Sequence, residues 1–175
     1  MVTETVRGSE AADVRARAAA ATVTDPEMPM LTLDDLGVIR RMDVEGDAVT
    51  VTITPTYSGC PALEIMSDDL RTALAGAGFA RVEVRTALAP PWSTDWISDE
   101  GRRKLAEHGI APPGRVGPRR SGPVPLTLTA PAQSVRCPRC GASATEEISR
   151  FGPTACTSLR RCPACREPFE HMKEL

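Results

Sequence analysis

The spacing of apolar and polar positions changes several times along the chain, and each change marks an element. Residues 10–22 are Ala-rich with Asp13 and Arg17 one helical turn apart, which predicts a peripheral helix carrying an i,i+4 ion pair. Asp25-Pro26-Glu27-Met28-Pro29 must end it, because each proline biases the residue before it away from helical backbone. Leu36–Val44 and Val49–Thr54 then read as a strand pair across Glu45-Gly46-Asp47. In the second strand Val49, Val51 and Ile53 alternate with Thr50, Thr52 and Thr54, so one face is buried and the other is threonine-covered.

From Pro61 the period lengthens. Leu63, Met66, Leu70, Leu74 and Ala77 recur at three and four, a helix that begins at Pro61 and stops near Gly76 or Gly78. Phe79–Arg85 returns as a third strand through Val82 and Val84, and Ser98-Asp99-Glu100 opens another helix that runs through Arg102, Arg103 and Lys104 to Gly109. The expected fold is α+β, a three-stranded or slightly larger mixed sheet packed with helices. Residues 1–24 form the N-terminal helix and its flexible start, and residues 25–110 form the α+β domain. Residues 111–135 hold six prolines and three glycines without periodicity and read as a linker, followed by a separate module at 136–175.

Composition narrows the classes. The chain has 175 residues, 41% hydrophobic and 25% charged, but only 3% aromatic and with 16 prolines, so its core must be aliphatic and much of it turn. No run approaches the roughly 18–20 apolar residues of a membrane span, and Asp13, Arg15 and Arg17 interrupt the segment where a signal peptide would be apolar. A cytoplasmic location follows as an expectation. Thiols stay reduced there, so the six cysteines are read as metal ligands or reactive sulfurs before disulfides. Residues 1–110 carry 11 basic and 18 acidic side chains, while 111–175 carry 10 and 5, so the two halves present surfaces of opposite sign.

Cys137-Pro138-Arg139-Cys140 and Cys162-Pro163-Ala164-Cys165 are two C-x-x-C knuckles 21 residues apart, each able to offer two sulfurs to one tetrahedral ion. A module of this size has too little interior to fold unaided, whereas structural Zn²⁺ supplies on the order of 10 kcal/mol of coupled folding free energy. Glu147–Phe151 and Thr157–Arg161 are expected to pair as strands of a zinc ribbon, with Phe151 and Phe169 as its bulky packing residues. The same four thiolates suit iron or an iron–sulfur cluster, and spacing leaves that alternative open. Cys156 is a fifth thiol of the module: a buried small residue, an alternative ligand or an exposed sulfur near the metal.

With Pro61 at the first helical position, Cys60 falls at or beside the helix N-cap, where unpaired N–H groups and the helix dipole favour a thiolate and lower its pKa. The alternative is a small buried residue at a strand–helix junction. Should the acidic turn pack against this loop, Asp25 and Glu27 would converge with Cys60 and Thr56 on one pocket for a transient metal ion or a docking partner.

Other chemistries find little support. No G-x-S-x-G elbow, P-loop or G-x-G-x-x-G occurs, the two histidines suggest no triad, and no Glu-x-x-His pair of the di-iron type is present, so no catalytic residue is assigned. A nucleic-acid-binding ribbon using Arg136, Arg139, Arg160, Arg161 and Arg166 is the second reading; scarce aromatics and the acidic N-terminal half argue against it. An iron–thiolate redox carrier is the third.

Asp25-Pro26-Glu27-Met28-Pro29, Leu36-Gly37-Val38, Thr54-Pro55-Thr56 and Gly59-Cys60-Pro61 resemble the MIP18-like (DUF59) domain family over about residues 12–110. Joined to Pro91-Trp92-Ser93-Thr94-Asp95-Trp96, the knuckles and Phe151-Gly152-Pro153-Thr154-Ala155-Cys156, the whole resembles the PaaD/PaaJ-like family of accessory proteins of bacterial phenylacetyl-CoA epoxidase systems. Gly152-Pro153 departs slightly from the usual residue before that Thr. The resemblance implies an accessory, non-catalytic component acting in iron–sulfur or di-iron centre assembly. Its partners would be the di-iron oxygenase and its flavin and [2Fe–2S] reductase, with iron–sulfur assembly proteins as further candidates. It places the family's reactive-cysteine position at Cys60, its acidic turn at Asp25 and Glu27, and raises the functional standing of Cys156.

Overall fold

The computed structural model describes residues 2–57, 59–117 and 134–174, with side chains from residue 10 onward. The chain forms two compact units, one made of residues 1–92 and 96–101 and the other of residues 93–95 and 102–175. Most of the linker expected at 111–135 lies outside the described residues.

The first unit opens with helix α1 (Val2–Ala20), longer than its Ala-rich half suggests. The Arg17–Asp13 pair forms at 3.4 Å, and Ala12, Ala16 and Ala20 make a buried stripe that only small side chains allow. Strands β1 (Ile39–Glu45) and β2 (Ala48–Ile53) form an antiparallel hairpin with Glu45 opposite Ala48. Val49, Val51 and Ile53 are at most 1% exposed while Thr50 and Thr52 between them are half-buried, so the period-two pattern resolves into a core face and an open face. Helix α2 (Leu63–Gly76) buries Met66, Leu70 and Leu74, spaced four apart, and carries the chain back to β3 (Arg81–Thr86), which pairs parallel to β2. The sheet order is β1-β2-β3.

Helix α2 starts two residues later than expected. Its N-cap is Ala62, so Pro61 precedes the helix and Cys60 sits in the turn leading to it. Leu63 N–H donates to the Cys60 carbonyl at 3.3 Å, closing that turn.

Leu31, Leu33, Leu36 and Val38, all at most 1% exposed, fill the core from the loop between α1 and β1. The Trp92–Trp96 segment closes over this loop: Trp92 Nε1–H donates to the Leu36 carbonyl at 2.9 Å, and the Arg40 guanidinium lies 3.5 Å from the Trp96 ring centre. Asp35 fastens the start of α3 (Asp99–Glu107), accepting from Ser98 Oγ at 3.2 Å through its carboxylate and from Ser98 N–H at 2.8 Å through its carbonyl. Ser98 Oγ in turn caps the helix by accepting from Gly101 N–H at 2.9 Å.

The second unit is a four-stranded sheet of order β4-β7-β6-β5: β4 (Ile110–Ala111), β5 (Glu146–Ser149), β6 (Thr157–Arg161) and β7 (Pro168–Met172). Strand β6 is antiparallel to both neighbours, and β4 joins β7 in parallel. The sequence pattern predicts neither β4 nor β7, although Phe169 and His171, both buried, alternate at period two.

Phe151 corrects the expectation for this module. It is 75% exposed, with Lys173 Nζ 5.3 Å from its ring centre, because it follows β5, an edge strand whose residues are mostly exposed. Phe169, by contrast, is 4% exposed and sits in the small core with Ala111, Val135, Cys137 and Cys162.

Candidate functional site

The two knuckles fold alike. In the first, Gly141 N–H donates to the Cys137 carbonyl at 2.9 Å with Gly141 at φ 76°. In the second, Arg166 N–H donates to the Cys162 carbonyl at 2.8 Å with Arg166 at φ 64°. The residue after each second cysteine thus turns left-handed, which folds both cysteines of a knuckle toward one point. The facing knuckles bring four Sγ atoms within 4.8 Å of one another, with Cys137–Cys165 at 3.7 Å and Cys140–Cys162 at 3.5 Å. A tetrahedral ion with ~2.3 Å metal–sulfur bonds requires sulfurs about 3.8 Å apart, so the cage fits such an ion.

Backbone N–H groups, first that of Cys165, pull the Cys162 thiol down to about 7. The Ala142 N–H opposes but does not prevent the hydrogen bond to Cys162 and burial from pushing Cys140 up to about 12, and Cys165 also rises, so the protons the sulfurs share leave only as an ion enters. Cys137 and Cys162 are buried and Cys140 is exposed, so the cage is closed on its inner side and open at its rim. Among the described residues, these four form the one group of three or more Cys, His, Asp or Glu side chains placed to hold an ion.

Cys156 lies outside that cage. It is buried at the start of β6 with its sulfur 3.1 Å from Thr154 Oγ1, and its carbonyl accepts from Lys173 N–H at 2.9 Å. Arg160, which the sequence groups with the basic surface, is 5% exposed. It donates to Thr145 Oγ1 and O at 3.2 Å each and reaches Glu147 at 3.6 Å. Burial, and then the charge of Arg160, push His171 down to about 4.

The unfolded chain protonates this histidine near the ordinary 6.5, while the folded ring resists until about 4. Folded-state stability from this group is therefore complete above that ordinary value and is lost progressively as pH falls through the window. Ring ¹⁵N shifts of His171 at pH ~5.5 are expected to report a neutral imidazole; an imidazolium there would contradict its burial among these groups.

In the first unit the acidic turn is a closed loop. Asp25 is 8% exposed, and its Oδ1 accepts from Glu27 N–H at 2.8 Å and Met28 N–H at 2.9 Å, so this carboxylate is held by the backbone that follows it. Asp25 N–H donates to the Leu31 carbonyl and Leu33 N–H to the Val23 carbonyl, each at 2.9 Å, which seals the loop onto the core. Glu27 is exposed, and Thr56 is half-buried in the loop after β2.

Cys60, in the same β2–α2 connection, is half-buried and accessible in part. Its thiol is raised, not lowered: burial contributes most, and the charges of Asp25 and Glu27 add to it, outweighing the N–H groups of Ala62 and Leu63 that favour the thiolate. The expected N-cap effect is reversed because α2 begins beyond Cys60 and because the acidic loop lies close enough for its charge to act on this sulfur. Local sequence could not show that proximity, since 32 residues lie between Glu27 and Cys60.

Known proteins share both halves of this arrangement. Residues 13–86 match the iron–sulfur cluster assembly protein family, and residues 121–173 match the PaaD zinc beta ribbon domain. An Escherichia coli protein named as the D component of 1,2-phenylacetyl-CoA epoxidase is 43% identical, with 86% of each chain covered. An Fe-S protein maturation auxiliary factor of Porphyromonas gingivalis is 37% identical over 48% of this chain and 81% of its own. A solved DUF59 domain of Bacillus anthracis superposes with a TM-score of 0.52 at 25% identity, covering 55% of this chain and 92% of its own. An iron–sulfur assembly domain followed by a PaaD zinc ribbon, in a chain so similar to the E. coli protein over nearly its whole length, places the protein in the PaaD family.

Proposed function

We propose that this chain is an accessory, non-catalytic component of a phenylacetyl-CoA epoxidase system that helps load or maintain its iron–sulfur or di-iron centres, with Cys60 as the point of contact for the cargo. The observation that carries the reading is a half-buried thiol whose pKa is raised first by its burial and then by the charges of two carboxylates, Asp25 and Glu27, near it. At neutral pH such a thiol rests protonated and weakly nucleophilic. A cation or an electron-poor cluster edge arriving at the loop offsets the two negative charges and lets the sulfur release its proton, so binding is conditional on cargo. Asp25 is held rigid by backbone N–H groups and supplies a fixed field, whereas the exposed Glu27 is free to follow the cargo or its carrier.

The four-cysteine cage is assigned structural Zn²⁺: four thiolates close the coordination sphere and leave no open position for chemistry. Cys156 then serves the ribbon as a packed residue beside Thr154. The partners fitting this role are the di-iron oxygenase, its reductase and iron–sulfur assembly proteins of the cytoplasm. The relatives named as an epoxidase component and as a maturation factor support the reading.

Co-expression with the oxygenase and reductase tests it. Cys60→Ser is expected to lower the iron content of the partner enzyme at least about fivefold while the chain itself stays folded and metal-loaded at its knuckles, a loss of about 1 kcal/mol or more in effective transfer. Unchanged partner iron and activity would remove Cys60 from the mechanism.

A further inference from the structure

Strand β3 closes one side of the first unit's sheet, and its hydrogen bonds reveal which way each residue faces. Arg81 N–H donates to the Asp47 carbonyl at 3.2 Å and Ala87 N–H to the Ile53 carbonyl at 2.9 Å. In a parallel ladder the N–H and C=O of alternate residues point to the same neighbour, so the odd-numbered residues of β3 aim at β2. The N–H and C=O groups of Val82, Val84 and Thr86 aim outward. Among the described residues no strand lies beyond β3. Beside this edge, Val84 and Thr86 border a groove of about 380 Å³ against Leu63 and Ser67 of α2.

An open edge of this kind recruits another strand unless its side chains forbid it. Here the side chains choose the strand. In an antiparallel pair of identical strands the doubly hydrogen-bonded positions must be outward-facing residues, so residues that face each other share parity and the two-fold axis passes through a residue, not between two. Centred on Val84, the axis sets Val84 against its own copy, Val82 against Thr86, and Glu83 against Arg85 of the second copy, twice by symmetry. The register centred on Glu83 satisfies the backbone equally but opposes Glu83 to itself and Arg81 to Arg85, and these like charges disfavour it. Glu83 and Arg85 are both exposed and hydrogen-bond each other along their own strand at 2.8 Å, so they exchange one opposite charge for another on pairing.

We propose that β3 is a self-association edge: two copies of this chain pair antiparallel about a two-fold axis at Val84, with Glu83 of each facing Arg85 of the other. Because the contact is short, the dimer is weak and concentration-dependent. This inference is independent of the Cys60 reading, since no residue of that loop takes part.

Sedimentation equilibrium of the full, zinc-loaded chain from about 1 to 200 μM tests it, a range that brackets micromolar association. The wild type is expected to shift from monomer to dimer. Glu83→Arg and Arg85→Glu should each weaken association about tenfold or more, because symmetry counts every like-charge pair twice. The double reversal, Glu83→Arg with Arg85→Glu, should restore it. Val84→Pro removes an outward N–H that β2 does not use and should abolish the dimer, with melting temperature as the check on folding. A monomer throughout the range overturns the proposal. So does a dimer indifferent to the single reversals, or one that the double reversal fails to restore in a chain that melts as the wild type does.

Discussion

Metal removal is expected to unfold the C-terminal module. Its buried cluster is small: Ala111, Val135 and Phe169, with Cys137 and Cys162 themselves making up the rest. Two members of that cluster are cysteines of the cage, so without an ion the core loses its centre, and thiols 3.5 and 3.7 Å apart take back their protons, Cys140 being pushed up to about 12. Coupled metal binding and folding in such sites is worth on the order of 10 kcal/mol, more than any one of the buried apolar side chains here contributes at about 1.5–3 kcal/mol each. Chelation, or Cys162→Ser at the fully buried ligand, should therefore collapse the NMR dispersion of β5, β6 and β7 while signals of the β1–β3 sheet persist. Metal analysis of the untreated chain should return one zinc ion and no visible absorption. A dispersed, metal-free ribbon would show that its packing suffices alone, and a coloured, iron-containing one would move the cage from structural to redox chemistry.

Gly37→Ala should produce the next largest loss, in the first unit. Gly37 has φ 65°, and a Cβ built on it falls 2.6 Å from the Trp96 carbonyl oxygen and 2.7 Å from Trp96 Cβ. The left-handed backbone alone costs an alanine about 1–2 kcal/mol. The clash adds to it, because its partner is backbone held by the Trp92 hydrogen bond to Leu36 and the Arg40 guanidinium over the Trp96 ring. A total of about 3 kcal/mol or more lowers the melting temperature of a unit this size by about 12 °C or more. Gly46 supplies the control: it has φ 62° but nothing within 4 Å of a built Cβ, so Gly46→Ala isolates the backbone cost and should be the milder change. Equal losses for the two would mean that the Trp96 segment yields freely.

Where the chain encodes structure over short distances, the sequence was readable. The alternation of Val49, Val51 and Ile53 and the four-residue spacing of Met66, Leu70 and Leu74 each follow from one face of one element meeting a core, and all six are buried. The knuckles are legible for the same reason, since each C-x-x-C and the left-handed residue after it make a local turn. Phe151 defeated that logic. An aromatic beside a strand normally packs, and only the position of β5 at the sheet edge leaves it in solvent.

Strand β4 is two residues long and gains its identity from β7, so no local pattern could announce it.

The amino-acid order by itself determined the α+β class, the second strand and central helix, and the two ligand pairs with their need for an ion, because these rest on contacts within a few residues or on composition. Tertiary structure decided the rest: the proton affinity of Cys60, the burial of Arg160 and His171, and the direction in which β3 offers its backbone. Those properties are sums over neighbours distant in the chain. Charge, desolvation and strand pairing act through space, and the distances that set them exist only once the chain has folded.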